Sequence, residues 1–536
     1  MRDASLDSIY TRIIELVGYH SRLSCDCGLE NTSNILLPKL PTRVLDLGEH
    51  EDDVIRLIQT KNQYAHYTTL SHCWGSARCM TTTENLSKRL ERIWFQDLPK
   101  TFQDAITITR RLGLRLLWID SLCIIQRDPC KSDTEDRTAV EDFNVESVKM
   151  ATYYGNSYIT IAASCSSDDT HGFLRERHQS NGWFFLELYF TPACYDDEVA
   201  IFEDKKQRRI YLRREWEKRD HPCLTSVYDP VDRETLQSRA WTLQERLLSK
   251  RILHFGTKQI YLEDHICGKL TSESGLTVNF LPYWSDSDQA NASLLYKEWY
   301  RMVEQFKTRK ITHLSDTLPA LSGLAQCFSE KINAPKQYCA GLWENDLVRG
   351  LLWRGEDETE PSYIAPSWSW VSTTGPVKFI YPKDESAWYR PCTITHCEMF
   401  LVDKSNPYGQ VEGGIICMRA LLQPFSTWDH KGKVRLVIPH SCIRVSHYFD
   451  NPGKYRDNVN LKNTPLFAAV IVYADSRFEL ECLGLVLEEV NTGKQDRLFK
   501  RVGLFQGNCG TSNHDLIHEI NSNILKGVSE QIIRIK

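Results

Sequence analysis

The stretch Leu114-Arg115-Leu116-Leu117-Trp118-Ile119-Asp120 decides the fold class of this chain. It is apolar almost throughout, with one arginine and no alternation of apolar and polar side chains. A strand of this composition is typical of a sheet that is covered on both faces, as mainly parallel sheets are. We therefore predict a central parallel strand here, with Asp120 at its carboxyl end.

Short apolar runs alternate with amphipathic helices on both sides of this strand, over residues 67–263. The run Tyr67-Thr68-Thr69-Leu70-Ser71-His72 predicts an earlier strand, and residues 158–164 and 251–255 predict later ones. Such alternation builds a mainly parallel sheet flanked by helices. The expected fold class is therefore α/β.

The helix between the first two strands carries start and stop signals. Thr101 and Asp104 stand at capping-box spacing, with Asp in place of the usual Glu, and Gly113 is placed to end the helix. We expect its apolar face to share one core with the strands and with a later helix. The residues of this expected core are Leu70, Ile106, Leu116, Ile119, Ile161, Leu243 and Leu247.

The rest of the chain divides into three further regions. Residues 1–60 are interpreted as a helical and loop-rich leader, and 266–375 as a connecting region with helices and the aromatic loop or edge Pro366-Ser367-Trp368-Ser369-Trp370. Residues 376–536 alternate strand-like runs with turns, which predicts a β-rich C-terminal domain. The α/β domain itself is expected over 61–265.

Composition excludes several classes of protein. Of the 536 residues, 41% are hydrophobic and 25% charged, as in globular proteins, and the net charge of −5 speaks against a nucleic-acid partner. No apolar stretch is long enough to span a membrane. The 18 cysteines follow no zinc spacing, so we expect no metal, no cofactor, and reduced thiols in the cytosol or nucleus, with the cytoplasm as the expected location.

Four sequence blocks resemble, in this order, the fungal heterokaryon-incompatibility (HET) domain. They are YTTLSHCWG (67–75), LPKTFQDAI (98–106), LWIDSLCIIQRD (117–128) and RAWTLQERLLS (239–249). The resemblance covers roughly residues 67–263. It implies a role in fungal self/non-self recognition or programmed cell death, and a remote kinship with TIR domains, hence a TIR/flavodoxin-like arrangement of the sheet.

The kinship assigns a role to Glu245. TIR domains place a serine after their first strand and a Trp-x-x-x-Glu motif on a helix after their third, and Ser71 and Trp241-Thr242-Leu243-Gln244-Glu245 are similar in order. In enzymatic TIR domains this glutamate is associated with cleavage of the nicotinamide glycosidic bond of NAD. The resemblance therefore implies that Glu245 is a catalytic carboxylate and that NAD or a related nucleotide is a substrate.

The residues themselves leave a structural role open for Glu245. A helix carboxylate at this position could simply bond to Arg239 or Arg246. The catalytic interpretation is chemically sound, because cleavage of a glycosidic bond passes through an oxocarbenium-like state that a nearby carboxylate stabilises.

Asp120, Cys123 and Gln126 follow the second strand, at the edge where open α/β sheets bind ligands. We interpret Asp120 and Cys123 as candidate catalytic residues. In the alternative, Asp120 caps the next turn, Cys123 packs as a small apolar residue and Gln126 ties the loop to the backbone. A third interpretation joins Cys123, His72 and Asp120 as nucleophile, base and orienting group for thiol hydrolysis.

A candidate substrate-binding set surrounds these residues. Trp74, Trp118 and Trp241 have flat rings that can stack on a nicotinamide or adenine, although aromatic residues beside apolar strands often belong to the core. We expect Ser71, Trp74, Asp120 and Glu245 around one cleft. The full binding set is Ser71, His72, Trp74, Gly75, Gln126 and Trp241.

Three functional hypotheses follow. The first is a HET-type effector that cleaves NAD or a related nucleotide, with cell death as the output. The second is a non-catalytic scaffold that assembles with itself as a homo-oligomer or with another HET- or NLR-type protein. The third is a repurposed HET-fold enzyme that acts on a small-molecule metabolite in an apolar cleft.

Overall fold

The computed structural model describes most of the chain, in segments separated by short and long gaps. The described residues are 7, 9–18, 37–49, 54–75, 79–128, 130–132, 134–175, 177, 201–204, 209–212, 230–273, 277–279, 292–334, 337–355, 363–381, 388–389, 392–430, 433–437, 444–450, 464–476, 479–490, 497–509 and 530–536.

The α/β region is built on one nine-stranded sheet. The first eleven strands of the chain are β1 (Arg43–Asp46), β2 (Arg56–Gln59), β3 (Thr68–Ser71), β4 (Leu116–Ile119), β5 (Ile159–Ala162), β6 (Ile201–Asp204), β7 (Arg209–Leu212), β8 (Arg251–Phe255), β9 (Ile260–Asp264), β10 (Lys269–Ser272) and β11 (Thr277–Asn279). The sheet has the order β11-β10-β9-β8-β5-β3-β4-β1-β2, and β6 and β7 form a separate hairpin.

The centre of this sheet is parallel and its edges are antiparallel. Strands β4, β3, β5 and β8 run parallel, with Leu70 of β3 opposite Ile119 on one side and Ile161 on the other. At one edge β1 and β2 are antiparallel, and at the other β9, β10 and β11 are. The prediction of an α/β fold around a mainly parallel sheet is confirmed, while the antiparallel edge at β1 and β2 was not predicted.

Helices connect the parallel strands. They are α1 (Leu86–Glu91), α2 (Lys100–Arg111), α3 (Asp120–Cys123), α4 (Arg137–Asn156), α5 (Trp241–Leu248), α6 (Ala292–Lys307), α7 (Pro319–Lys331) and α8 (Leu347–Gly350), and residues 9–18 are also helical. Helix α2 lies between β3 and β4, α4 between β4 and β5, and α5 between β5 and β8. Within the described segments, none of the helices has the length and apolar character needed to cross a membrane.

The start of α2 differs from its prediction. The helix begins at Lys100 after Pro99, and no side chain caps it, so the expected Thr101 capping box is wrong. Both residues of that box make other contacts. Asp104 accepts hydrogen bonds from the backbone of Phe173 and Leu174 at 2.8 and 2.9 Å, and Thr101 accepts one from the Gly172 amide at 3.2 Å. The stop signal is correct, because Gly113 follows the helix with a φ of 73° that favours glycine.

The seven residues that we expected in one core are divided between two hydrophobic cores. Leu70, Ile106, Ile119 and Ile161 are fully buried in the core around the sheet, and Leu116 packs against it partly buried. Leu243 and Leu247 instead belong to a second core. The reason is that α5 has helices on its outer side, and its Gln244 side chain accepts a hydrogen bond from the Gly323 amide of α7 at 2.9 Å.

Tryptophans dominate the second core. Beyond the α/β domain, the chain forms two hairpins from β12 (Tyr338–Cys339), β13 (Leu342–Trp343), β14 (Trp353–Gly355) and β15 (Val377–Phe379). The predicted aromatic loop places Trp368 and Trp370 here, both fully buried. Trp353 donates its indole hydrogen to the Trp368 carbonyl oxygen at 3.0 Å, which satisfies a polar group inside the core.

The C-terminal region is β-rich, as predicted. Its strands are β16 (Trp388–Tyr389), β17 (Thr393–Leu401), β18 (Val411–Pro424), β19 (Ser426–His430), β20 (Lys433–Val437), β21 (Arg444–Phe449), β22 (Leu466–Ser476), β23 (Glu479–Glu489), β24 (Leu498–Cys509) and β25 (Glu530–Ile535). Except for the hairpin of β19 and β20, they form one sheet in the order β16-β22-β23-β24-β25-β18-β17, with β21 added to β24. Strand β18 also pairs with β22, so the pairing returns on itself.

Candidate functional site

Three polar residues meet at one end of the parallel strands. Ser71 is the last residue of β3, Asp120 directly follows β4, and Glu245 lies in α5. Neighbouring parallel strands bring their carboxyl ends to the same edge of a sheet, and open α/β sheets bind ligands beyond that edge. The three residues thus occupy the place where such a fold holds a ligand.

The Glu245 carboxyl group is buried and held by two hydroxyl groups. Ser71 donates a hydrogen bond from Oγ to Oε2, and the Tyr154 hydroxyl is a second partner. Tyr154 also donates to the Leu70 carbonyl oxygen at 3.2 Å. The Glu245 side chain is therefore fixed between β3 and α4, on which these partners lie.

Burial of Glu245, followed by the nearby negative charge of Asp120, raises its pKa to about 7. The Ser71 hydroxyl, the Arg239 guanidinium and the Tyr154 hydroxyl act in the opposite direction, because they stabilise the ionised form. Near neutral pH the carboxyl group therefore exists in both forms. A carboxyl group with this pKa can act in acid–base or electrostatic catalysis.

Asp120 lies closer to the surface, with its side chain 17% exposed. The Trp74 indole nitrogen donates to Oδ2 at 2.9 Å, and the Ser121 amide donates to Oδ1 at 2.7 Å. Burial raises the pKa of Asp120, and Arg239, Ser121 and Trp74 lower it. Asp120 thus bonds to the backbone amide of the next residue and joins Trp74 to the site, and no side chain caps the helical turn that follows β4.

His72 is buried beneath these residues. Its Nδ1 atom lies 3.8 Å from Asp120 Oδ1, and its ring packs edge-on against Phe102 with 5.0 Å between the ring centres. Burial, with a smaller effect of Arg239, lowers the pKa of His72 to about 3. The imidazole is therefore neutral and a weak base.

Cys123 and Gln126 are fixed by the backbone around them. Burial raises the pKa of the Cys123 thiol to about 12, which leaves it protonated at neutral pH. The Gln126 amide donates to the carbonyl oxygens of Asp120 and Ile124 at 3.2 and 3.4 Å. Cys123 is also buried in the core around the sheet, and its protonated thiol and the neutral His72 weigh against a thiol nucleophile.

Gly75 and Trp241 lie at the border of the site. A Cβ atom at Gly75 would stand 2.4 Å from Oδ1 of Asp169, so the glycine permits a close approach of that buried side chain. Trp241 packs against both cores, and its indole bonds to Asp316. Trp241 is thus held at the junction of the two cores.

Arg239 is a site residue that the sequence interpretation considered only as a partner of Glu245. It is half-buried, and its Nη1 atom donates to the His72 carbonyl oxygen at 2.7 Å. Its positive charge partly offsets the rise that burial causes in the pKa of both Asp120 and Glu245. Its place two residues before Trp241 in the fourth sequence block was the available signal. Tyr154 was also missed as a site residue, because the helical pattern of α4 marked it only as apolar.

A second buried glutamate lies beyond α5, on β9. Glu263 bonds to Arg246 Nε at 2.7 Å, to His254 Nε2 at 2.7 Å and to His265 Nε2 at 3.0 Å. His254 Nδ1 lies 3.1 Å from the fully buried Ser164 Oγ. Although burial opposes ionisation, Arg246 and the two histidines hold the pKa of Glu263 well below its usual value.

The groups around Glu245 differ in exposure. Ser71, Tyr154 and Glu245 are buried, whereas Trp74 and Arg239 are partly exposed. The exposed groups nearest to this carboxyl group are thus an aromatic ring and a cation, both of which can contact a ligand. Across the segments that the structure describes, no group of three or more His, Cys, Asp or Glu side chains could hold a metal ion.

Comparison with known protein families gives one match. Residues 67–245 match the family model described as heterokaryon incompatibility protein (HET). The match begins just before β3 and ends at Glu245, so it includes Ser71, Asp120 and Arg239. No curated protein and no solved structure matches the chain significantly. Residues 67–245 of the chain are therefore similar to the heterokaryon incompatibility (HET) family.

Proposed function

We propose that this protein is a cytoplasmic HET-type effector of fungal self/non-self recognition and cell death, and that its HET domain cleaves NAD or a related nucleotide through Glu245. The family match supports the incompatibility role. One observation carries the enzymatic part: a buried glutamate, with a pKa near neutrality, is held by two hydroxyl groups at the ligand-binding edge of a parallel sheet.

The order of elements supports a TIR-like site. Ser71 ends the first parallel strand in the chain, and Trp241 and Glu245 lie on the helix that follows the third, β5. Ser71 and Glu245 are 174 positions apart, yet their side chains are hydrogen-bonded. This proximity supports the common cleft that we expect for the two residues from the TIR resemblance.

In the proposed reaction, water and NAD give nicotinamide, ADP-ribose and a proton. The bond from the ribose C1′ carbon to the nicotinamide nitrogen breaks, and the bonding electrons leave with the nicotinamide. The ionised Glu245 carboxylate stabilises the positive charge that develops on the ribose, and water then bonds to C1′. Ser71 and Tyr154 fix the carboxylate in place, and Trp74 offers a face on which a base can stack.

The second candidate is a non-catalytic scaffold, and the burial of Glu245 favours it. The side chain is 5% exposed, and its partners tie α5 to β3 and α4. In this case the cluster stabilises the domain, and the surface around Trp74 and Arg239 assembles with another copy or with another HET- or NLR-type protein.

The deciding experiment measures release of nicotinamide from NAD by purified protein. We expect Glu245→Gln to lower the rate by roughly 100-fold or more, because the substitution keeps the size of the side chain and removes its charge. Glu141→Gln is the matched control, since Glu141 is an exposed glutamate of α4 that pairs with Arg137. Circular dichroism and thermal unfolding verify that both variants fold.

The assay includes high protein concentration and expression in cells, because the proposed site can require assembly. Equal nicotinamide release, or equal cell toxicity, by wild type and Glu245→Gln would reject the enzymatic role of Glu245. Toxicity without turnover in both proteins would establish the scaffold. Loss of release in Cys123→Ala, with release intact in Glu245→Gln, would assign the reaction to the thiol.

A further inference from the structure

Two thiols meet in the C-terminal half of the chain. The Sγ atoms of Cys339 and Cys397 are 3.0 Å apart, although the residues are 58 positions apart in sequence. Cys339 ends β12 and is buried, whereas Cys397 lies in β17 and is half-buried. Both are free cysteines. A disulfide bond has its sulfur atoms about 2.0 Å apart, so a small approach of the two sulfurs would form one.

The backbone holds Cys339 in place. The turn between β12 and β13 contains Ala340 and Gly341, both with positive φ, which is typical of a tight two-residue hairpin. The Gly341 carbonyl oxygen accepts indole hydrogen bonds from Trp299 and Trp370, each at 3.0 Å. The hairpin is thus anchored to two buried tryptophans, and Cys339 cannot easily turn away.

The pairing of β17 with β18 fixes the other thiol. Cys397 stands opposite Ile416, and the adjacent His396 stands opposite Cys417. Successive residues of a strand point to opposite faces, so Cys417 lies on the face away from Cys339. In the part of the chain that the structure describes, the two thiols belong to no cluster large enough for a metal ion. Their proximity therefore points to a bond between the two sulfurs.

We propose that Cys339 and Cys397 form a reversible disulfide when the protein meets hydrogen peroxide. In the first step the half-buried Cys397 thiol attacks one peroxide oxygen, which gives a sulfenic acid and one water molecule. In the second step the Cys339 sulfur displaces the hydroxyl group from the Cys397 sulfur, and a second water molecule leaves. Two thiols are oxidised by two electrons in total, and one peroxide is reduced.

The bond would join the hairpin of β12 and β13, which packs in the second core, to strand β17 of the C-terminal sheet. It would close a loop that includes the predicted aromatic loop and β14 to β16. Closing a long loop restricts the unfolded chain, so the oxidised protein should unfold at a higher temperature. The proposal is independent of any activity at Glu245.

The test uses the full-length chain, reduced and then treated with hydrogen peroxide. Free thiols are alkylated, and tryptic peptides are identified by mass spectrometry. We expect a cross-linked peptide pair that contains Cys339 and Cys397, lighter than the two reduced peptides by two hydrogen atoms and separable by a reductant. C417S should retain the cross-link, and C397S should lose it.

Thermal unfolding gives an independent readout. Peroxide should raise the Tm of the wild type and of C417S by several degrees, and reductant should reverse the rise. Peroxide should not raise the Tm of C397S. The reduced form of this variant should have a Tm near that of the reduced wild type, because this thiol is only half-buried. A sulfinic acid at Cys397 with Cys339 still free would overturn the proposal, as would two thiols that both stay alkylatable after peroxide.

Discussion

Two buried glutamates of the α/β region, Glu245 and Glu263, have opposite environments. Glu245 meets two hydroxyl groups and a nearby carboxylate, and its pKa is raised to about 7. Glu263 meets an arginine and two histidines, and its pKa lies well below its usual value. Both side chains are about equally buried, at 5% and 4% exposure.

Burial alone therefore does not set the charge of a glutamate in this protein. Desolvation disfavours ionisation at both positions, and only around Glu263 do the neighbouring groups, Arg246 and two histidines, overcome it. Arg246, the next residue after Glu245, could have supplied a cation to either carboxylate. It bonds to Glu263 and Asp232 because successive residues of a helix point about 100° apart. Arg246 therefore bonds to Glu263 and Asp232 and not to Glu245.

The largest expected difference between the two glutamates concerns stability at neutral pH. Glu263→Gln should lower the free energy of unfolding by about 3–5 kcal/mol, because it removes the buried carboxylate that bonds to Arg246, His254 and His265. Urea denaturation at pH 7 measures the change. Glu245→Gln is the matched variant and should cause no loss of this size. Equal losses in the two variants would show that Glu245 is also a structural ion-pair residue.

The next effect is a pH dependence that belongs to Glu245. Its folded pKa of about 7 lies above the usual value of 4.5, so between these values the folded protein binds more protons than the unfolded chain. Stability from this group is fully present below pH 4.5 and is lost as pH rises through 7. The loss corresponds to about 3 kcal/mol.

Glu245→Gln lacks this titration and isolates it. From pH 4.5 to pH 8, the wild type should lose about 3 kcal/mol of unfolding free energy that the variant does not lose, so the variant becomes more stable relative to the wild type by this amount. Denaturation series across this range measure the shift. Stability curves that stay parallel would mean that Glu245 has an ordinary pKa.

The smallest effect tests the hydrogen bond from Ser71. Ser71→Ala removes a donor that stabilises the ionised carboxylate, so it should raise the pKa of Glu245 further and cost about 1–2 kcal/mol at pH 8. At low pH the cost should be smaller. If the enzyme proposal holds, the rate of nicotinamide release should rise with pH in both proteins. The pH at the midpoint of this rise should be higher for Ser71→Ala than for the wild type. An unchanged midpoint would show that Ser71 does not control the ionisation of Glu245.

Much of the fold was predictable because it follows from sequence patterns within single strands and helices. The continuous apolar run before Asp120, the glycine at 113 and the helical spacing of α4 each reflect contacts that repeat along one element. The α2 start was mispredicted because Asp104 bonds to the backbone at residues 173–174, which no local pattern shows. Leu243 and Leu247 were assigned to the wrong core because a helix pattern marks an apolar face but not the partner that covers it.

The sequence by itself determined the blocks that resemble the HET family, the α/β order, the placement of Ser71 and Asp120 at the ends of their strands, and the position of Glu245 on a helix. Those features follow from periodicity and from motifs within single segments. Only the tertiary structure decided that Ser71 and Tyr154 hold Glu245, that Arg239 is close to both carboxyl groups, and that Arg246 serves Glu263. The physical reason is that a carboxyl group's charge depends on burial and on partners from distant segments, which come together only when the sheet and its helices pack.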